Sequence, residues 1–382
     1  MSDLLRIDGS EGEGGGQILR TALTLSMVTG RPFEIVNLRA NRPKPGLRPQ
    51  HLVCVEAAAR ICSAATNGAK VNSRTVRFEP GPIRPGTYQF DIRTAGSTTL
   101  VLQTLYLPLA VGSAVAAAPS DSSTLSLSNS PTLSRSHALT FLPPAGRSIV
   151  AITGGTHVPF SPSFHFLMDQ WSVFLRRLGM DIELTLERAG YYPEGGGQIR
   201  AKIRPVASLH PLTLGARGRL ERLEGISTVS NLPRTIAERQ RERALQCLDE
   251  AGFAAGMELI ELPSPGKGTM VHLFAVHEGG GRACYDALGA LGKRAETVAE
   301  EACEGMIAFL RTHGAIDEHL ADQLLLPLSL ASGPSEFPVP AVTNHLLTNA
   351  RTIERFLPCS IRIEGDLGQP GIVRLSPGGI PA

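Results

Sequence analysis

The stretch GEGGGQI at Gly12–Ile18 returns as PEGGGQI at Pro193–Ile199. A glycine motif repeated at two distant places points to a chain built by internal duplication. Around the first copy the pattern alternates strand and helix. A strand is expected at Leu4–Asp8 and a helix from Gln17 to Thr29, which Gly30 can terminate. A strand at Phe33–Leu38, a helix at Pro49–Cys62 and strands at Val71–Phe78 and Tyr88–Ile92 complete one unit. A similar plan follows, with an apolar helix at Ser97–Ala110, a strand at Ser148–Thr153 and a helix at Pro162–Leu178. Ser161 is the expected cap of that last helix, and Phe164, Leu167, Trp171, Phe174 and Leu178 fall on one face. A third unit opens with Met180–Pro205 and closes from Asp317 onward. Between its parts, residues 216–314 carry a basic helix (Arg234–Leu248), strands at Met257–Leu262 and Met270–Val276, and a charged helix (Lys293–Arg311). The expected division is therefore a large domain, 1–215 with 315–382, and an inserted small domain, 216–314. Pro119–Arg147, rich in Ser, Thr and Pro, reads as a long surface loop.

The chain has 382 residues, 42% hydrophobic and 19% charged, enough to bury a sizeable core. It carries no run of about 18 apolar residues and no secretory pattern in MSDLLRIDGS, so a cytoplasmic protein without membrane association is expected. Six scattered cysteines lack the paired spacing of a zinc or redox site. The net charge of +2 requires any anion-binding surface to be local. No heptad or other interface signal indicates an oligomeric state.

A glycine-rich turn entering a helix offers backbone N–H groups and the positive end of the helix dipole, so Gly12–Gln17 suits phosphate. The same glycines also suit a plain tight turn, which is the simpler reading for Gly195–Gly197. Glu13 offers a hard oxygen for a divalent cation, and Arg20 lies one turn into the helix. Leu38–His51 (LRANRPKPGLRPQH) carries Arg39, Arg42, Lys44 and Arg48 with no acid between Glu34 and Glu56. Its prolines keep the loop extended, so several forked donors can face one ligand. His319, Asp322 and Gln323 fall within one helical turn and suit a purine edge or a ribose, or simply an exposed helix start. His345 precedes another helix. Spacing does not single it out among ten histidines, and His51 beside the basic cluster is its strongest competitor.

Taken together, IDGSEGEGGGQILR, RPKPGLRPQH, TAGSTTLVLQT, GGT at Gly154–Thr156, YYPEGGGQ, HLADQLLLPLSLA and NHLLTNARTIERFLP resemble the RNA 3'-terminal phosphate cyclase family, in family order over nearly the whole chain. The resemblance implies an α/β (α+β) fold, with a large domain of three repeated βαβαββ-type units and an inserted smaller α/β domain. It implies an ATP-dependent, metal-assisted (Mg2+ or Mn2+) enzyme of the ligase class that turns an RNA 3'-phosphate into a 2',3'-cyclic phosphate through a histidine–AMP intermediate. By motif, His345 is the adenylated nucleophile and Glu13 the metal ligand. Arg39, Arg42 and Gln50 match substrate-phosphate positions. Arg20, Gln103, His319, Asp322 and Gln323 match nucleotide positions, and Pro162 and Phe166 match the adenine pocket. His319 stands where many members have tyrosine, and GGT continues into an unusual His157-Val-Pro-Phe lead. Two other readings remain open here: a non-catalytic cyclase-like ribosome-assembly protein, which would lack the histidine, and an enolpyruvyl transferase-like enzyme, which would need none.

Overall fold

The computed structural model describes residues 4–12, 14–115, 140–142 and 146–379. Its first sheet joins the parallel strands β1 (Leu5–Asp8) and β2 (Phe33–Val36) through helix α1 (Gln17–Thr29). Helix α2 (Pro49–Cys62), β3 (Ala65–Asn67) and β4 (Val76–Glu79) follow, giving the order β1-β2-β4-β3. Next come β5 (Thr87–Asp91), α3 (Thr98–Val111), the short antiparallel pair β6 (Ser113–Val115) and β7 (Thr140–Leu142), and β8 (Ser148–Gly154). Helix α4 (Phe164–Phe166) runs through a π turn (Leu167–Trp171) into α5 (Ser172–Arg177), and β9 (Ile182–Arg188) and β10 (Gly197–Ile203) complete the second sheet. Its order, β5-β8-β10-β9, again has one parallel pair followed by two antiparallel ones.

The third sheet, β12-β11-β13-β14, consists of β11 (Leu220–Ser230), β12 (Gly256–Glu261), β13 (Gly268–His277) and β14 (Arg282–Leu288). Helices α6 (Arg234–Glu250) and α7 (Ala295–Leu310) pack against it. The chain then adds α8 (Glu318–Leu328), β15 (Ser335–Val339), α9 (Asn344–Phe356), β16 (Ser360–Glu364) and β17 (Gly371–Ser376), with strand order β15-β17-β16. Parallel bridges from Leu209 and Thr213 reach Ala331 and Glu336 beside β15. The architecture is mixed α/β, and no helix among the described residues is long and apolar enough to cross a membrane.

Apolar side chains gather into two clusters. One draws on residues from Ile7 to Leu214 and from Ala315 to Leu375, with Cys284; the other lies wholly within Leu223–Leu310. The helical face expected from Phe164 to Leu178 is buried throughout. Trp171 meets Tyr106 edge-on, with ring centroids 4.7 Å apart, a favoured aromatic geometry.

Several expectations are corrected. Ser163, not Ser161, caps the Phe164 helix, its Oγ accepting from Phe166 N at 3.0 Å. The two glycine motifs occupy different places: the first opens α1, the second forms the turn into β10. The strand placed at Val71–Phe78 is confined to Val76–Glu79, and β3, β11 and β14 were not anticipated. Pro119–Arg147 falls mostly outside the described residues.

A buried ion cluster joins the two cores. His272, 0% exposed, hydrogen-bonds through Nδ1 to Asp286 Oδ1, and its Nε2 stands 3.2 Å from Asp169 Oδ2 of the π turn, close enough for an ion pair but without hydrogen-bond geometry. Burial opposes the imidazolium, yet Asp286 and Asp169 outweigh it and hold its pKa well above the ordinary value. Burial likewise pushes Asp286 up, and His272 pulls it below its usual range. A histidine with a raised folded-state pKa contributes stability that is fully present below its unfolded pKa and is lost only as pH rises through the folded value. The cluster therefore still contributes at neutral pH. His272→Leu is expected to cost about 2–3 kcal/mol, because it leaves two part-buried carboxylates without their charged partner. Urea denaturation at pH 7 measures this, and a loss under about 1 kcal/mol, the range of exposed ion pairs, would contradict it.

Candidate active site

The glycine turn and the basic loop lie side by side. Gly12 and Gly14 take left-handed conformations (φ 56° and 57°), which glycine adopts without strain. The turn they make is hemmed in on every side. A Cβ on Gly12 would stand 2.0 Å from Thr348 Oγ1 of α9, one on Gly15 3.2 Å from an Arg42 Nη, and one on Gly16 2.3 Å from His51 Nε2 and 3.0 Å from an Arg20 Nη. The turn thus sits between the basic loop and the helix that begins at Asn344 next to His345. Gly16 is also the uncapped N-terminus of α1, and unsatisfied helix N–H groups beside cations favour an anion.

In the basic loop, Arg39 (φ 54°) donates through Nη1 to Lys44 O at 2.6 Å and Gly46 O at 3.1 Å, so part of its guanidinium holds the loop together. Burial, then Arg42 and Arg48, press its pKa down. Gln50 Oε1 accepts from Ser97 N at 2.9 Å, tying α2 to the cap of α3. His51 Nδ1 accepts the Arg48 N–H at 3.3 Å, which places the ring proton on Nε2. Burial, then Arg20, Arg39 and Arg48, push its pKa down to about 3, so the ring is neutral. In that tautomer Nε2–H faces the glycine turn as a donor, and the one available ring lone pair, on Nδ1, is engaged by the Arg48 amide, which disfavours His51 as a nucleophile.

His345 lies on the other side of the turn. Its side chain is 46% exposed, with Nδ1 3.6 Å from Asp322 Oδ2. The same Asp322 oxygen accepts from Gln17 Nε2 at 2.6 Å, so α1, α8 and α9 meet at one carboxylate. Asn349 Nδ2 donates to Asp322 O at 2.7 Å, and Thr21 Oγ1 donates to Asn349 Oδ1 at 2.7 Å. Gln103 Nε2 of α3 reaches Gln323 Oε1 at 2.5 Å, and Gln323 Nε2 returns to His319 O at 2.8 Å. His319 is exposed beside Glu318, with Nε2 3.7 Å from Oε1, and its ring centroid is 6.2 Å from that of Tyr285.

Pro162 is half-buried and its carbonyl accepts from Thr99 Oγ1 at 2.8 Å, whereas Phe166 is 3% exposed and belongs to the core. Phe166 offers a ligand almost no surface in this arrangement. The unusual His157 is buried, bonded to Thr156 Oγ1 at 2.7 Å and to His165 Nδ1 at 2.9 Å, which makes it part of the packing. Glu13 lies outside the described residues. Residues not singled out beforehand are Gln17, Thr21, Thr348 and Asn349. A readable signal existed for two of them: Gln17, Thr21 and Thr24 form an i, i+4, i+7 polar stripe, with Arg20 beside it, on a largely apolar helix.

The geometry defines an α/β protein in which a glycine turn is flanked by cationic side chains on one side and by a histidine beside a carboxylate on the other. Residues 11–363 match the family described as RNA 3'-terminal phosphate cyclase. The chain is 41% identical to the RNA 3'-terminal phosphate cyclase of Methanopyrus kandleri over 382 residues, covering 98% of this chain and 99% of the relative. It is 41% identical to that of Staphylothermus marinus (98% of each chain) and 39% identical to that of Methylococcus capsulatus (99% and 98%). The chain belongs to the RNA 3'-terminal phosphate cyclase family.

Proposed function

We propose that this protein converts an RNA 3'-terminal phosphate into a 2',3'-cyclic phosphate at the expense of ATP. The observation that carries the reading is the meeting of His345, Asp322 and Gln17 beside the glycine turn and its basic loop. A nitrogen of His345 attacks the α-phosphorus of ATP, the bond to the β-phosphate oxygen breaks, and diphosphate leaves. Asp322 stabilises the positive charge the ring acquires, and Arg20 and Arg42 meet charge on the departing phosphates. An oxygen of the RNA 3'-phosphate then takes the AMP and frees the histidine. The vicinal 2'-hydroxyl attacks the activated 3'-phosphorus, loses its proton and expels AMP. That last step is intramolecular and benefits from an effective molarity of about 10⁵ M or more, so activation is what requires ATP. Gln103, His319, Asp322, Gln323 and Pro162 would read the nucleotide, with Phe166 only packed behind them in the core, and Arg39, Arg42 and Gln50 would read the RNA phosphate.

We also read the large body, 1–215 with 315–382, as three copies of a βαβαββ-type unit with 216–314 inserted as a small domain. The shared order of the first two sheets, the bridges beside β15 and the separate Leu223–Leu310 core support this.

Among the described residues no group of three or more His, Cys, Asp or Glu side chains could hold a metal by itself. A divalent cation would bind through Glu13, as the family's glycine motif implies, and Mg2+ commonly takes its other ligands from nucleotide phosphates and water. When bound, it would neutralise charge on those phosphates. Glu13→Ala is expected to lower self-adenylation about 100-fold, the scale of losing one such electrostatic contact. Label uptake from α-labelled ATP across a magnesium titration tests this, and wild-type uptake would remove Glu13 from the site.

The reaction itself is tested with an RNA ending in a 3'-phosphate. The expected result is an end resistant to phosphatase, formed together with AMP and diphosphate. An end that stays phosphatase-sensitive with ATP and Mg2+ present would overturn the reading.

A further inference from the structure

Helix α8 carries His319, Asp322 and Gln323, and two carboxylates tie it to the Leu220–Leu310 segment. Glu318, in its first turn, accepts from the Tyr285 hydroxyl of β14 at 2.8 Å; the other carboxylate is buried and reaches further. Asp317, 0% exposed, is shared between three elements. Its Oδ1 caps α8, accepting from His319 N at 3.0 Å and Leu320 N at 2.8 Å. Its Oδ2 accepts from Gln170 Nε2 of the π turn at 2.6 Å and from Cys284 N of β14 at 3.1 Å. Gln170 is itself pinned, since Nε2 also donates to Arg282 O of β14 at 3.0 Å. Both neighbours of that amide nitrogen are acceptors, so its orientation is settled. Arg282 returns a bond from Nη1 to Asp169 O at 2.9 Å, and Arg282 N donates to Ala315 O at 2.9 Å, two residues before the cap.

From this geometry we infer that Asp317 is a positioning residue through which the inserted small domain fixes α8, and with it Asp322 and Gln323, against His345. The inference rests on the nucleotide-site reading given above. A helix cap alone needs one oxygen; the second oxygen of Asp317 is spent on the π turn and on the insert. The π turn is the natural partner. Its wider turn directs Asp169 toward His272 and Gln170 toward Asp317, so that both side chains of one irregular turn lock onto the insert and α8. Irregular helix turns of this kind are often found at functional sites.

Two substitutions separate capping from bracing. Asp317→Ser keeps a capping oxygen but has none to reach Gln170 and Cys284. Gln170→Leu leaves the cap untouched and removes the brace from the other side. Gln240→Leu is the control: Gln240 Oε1 accepts from Ser227 Oγ and Thr269 Oγ1 inside the insert, so the change damages the insert without touching α8. Self-adenylation is measured against ATP concentration for all three, together with amide hydrogen exchange over residues 318–324.

Asp317→Ser and Gln170→Leu are each expected to raise the half-saturating ATP concentration about tenfold and to speed exchange in that segment, a coupling of ordinary size. The double variant should be no worse than the stronger single one, since both remove the same interaction. Gln240→Leu should leave half-saturation unchanged. Wild-type half-saturation in Gln170→Leu, or an equal rise in Gln240→Leu, would overturn the inference. If Asp317→Ser does not fold, Gln170→Leu still decides. If the wild-type protein forms no adenylate, the nucleotide reading fails, and the exchange measurement still decides whether the brace exists.

Discussion

Replacing His345 with alanine is expected to abolish AMP transfer from ATP to the protein, by at least about 10³-fold, the scale on which removal of a covalent nucleophile acts. Alanine removes the nucleophilic ring while leaving α9 intact, because the helix is capped by Thr343, whose Oγ1 accepts from Leu346 N at 3.1 Å, and is held by its buried face of Leu346, Ile353 and Phe356. Stability should therefore change little, since a half-exposed side chain away from the core contributes within about 0.5 kcal/mol. His51 is poorly placed to substitute. Its Nδ1 is engaged by the Arg48 amide and its Nε2 carries the proton, with three arginines opposing any further charge. Residual labelling near the wild-type level in a folded His345→Ala protein would mean that another side chain attacks.

Gly16→Ala is expected to lower adenylation about 100-fold with the protein still folded, because displacement by an ångström at a reacting site has costs of that order. Gly16 has an ordinary helical conformation, φ −78° and ψ −7°, so the backbone accepts alanine without strain. The obstacle is purely spatial: the new Cβ would meet His51 Nε2 at 2.3 Å and Cδ2 at 2.6 Å, with Arg20 at 3.0 Å. The imidazole has little room to yield, since its other nitrogen belongs to the start of α2. The methyl group must therefore push His51 or the turn itself into the space meant for phosphate. Rates of label uptake at saturating ATP measure the effect, and a rate within twofold of wild type would show that the cradle is not where phosphate binds.

Much of this site was legible as separate pieces. The glycine turn and the acid-free run from Arg39 to Arg48 stand out because local pattern and composition carry them, whereas His345, the second residue of α9, is set apart from the other histidines only by the family resemblance. Helix limits were clear where backbone chemistry marks them. Pro49 at the first turn of α2 and Gly30 in the left-handed region after α1 are such marks. What local pattern does not carry is juxtaposition: Gln17 and Asp322 share a hydrogen bond across 305 positions. The tautomer of His51, which removes it as a rival to His345, depends on the fold around Arg48. In the Leu220–Leu310 segment, β11 opens with the charged stretch Leu220–Glu224, and β14 holds Asp286 half-buried against His272. Such residues argue against a strand until a partner such as His272 satisfies them. The likeness of the two glycine motifs was real in sequence but not in place, because GGGQI starts a helix when followed by the apolar face of α1 and a strand when it pairs with β8.

The proposed mechanism requires that His345 receive the nucleotide. Brief exposure of the protein to ATP and Mg2+, followed by proteolysis under conditions that spare an acid-labile phosphoramidate and by mass mapping, tests it most directly. The predicted result is a single AMP adduct on the peptide containing His345. An adduct located on His51 or on any other residue, or a fully unmodified protein, would contradict it.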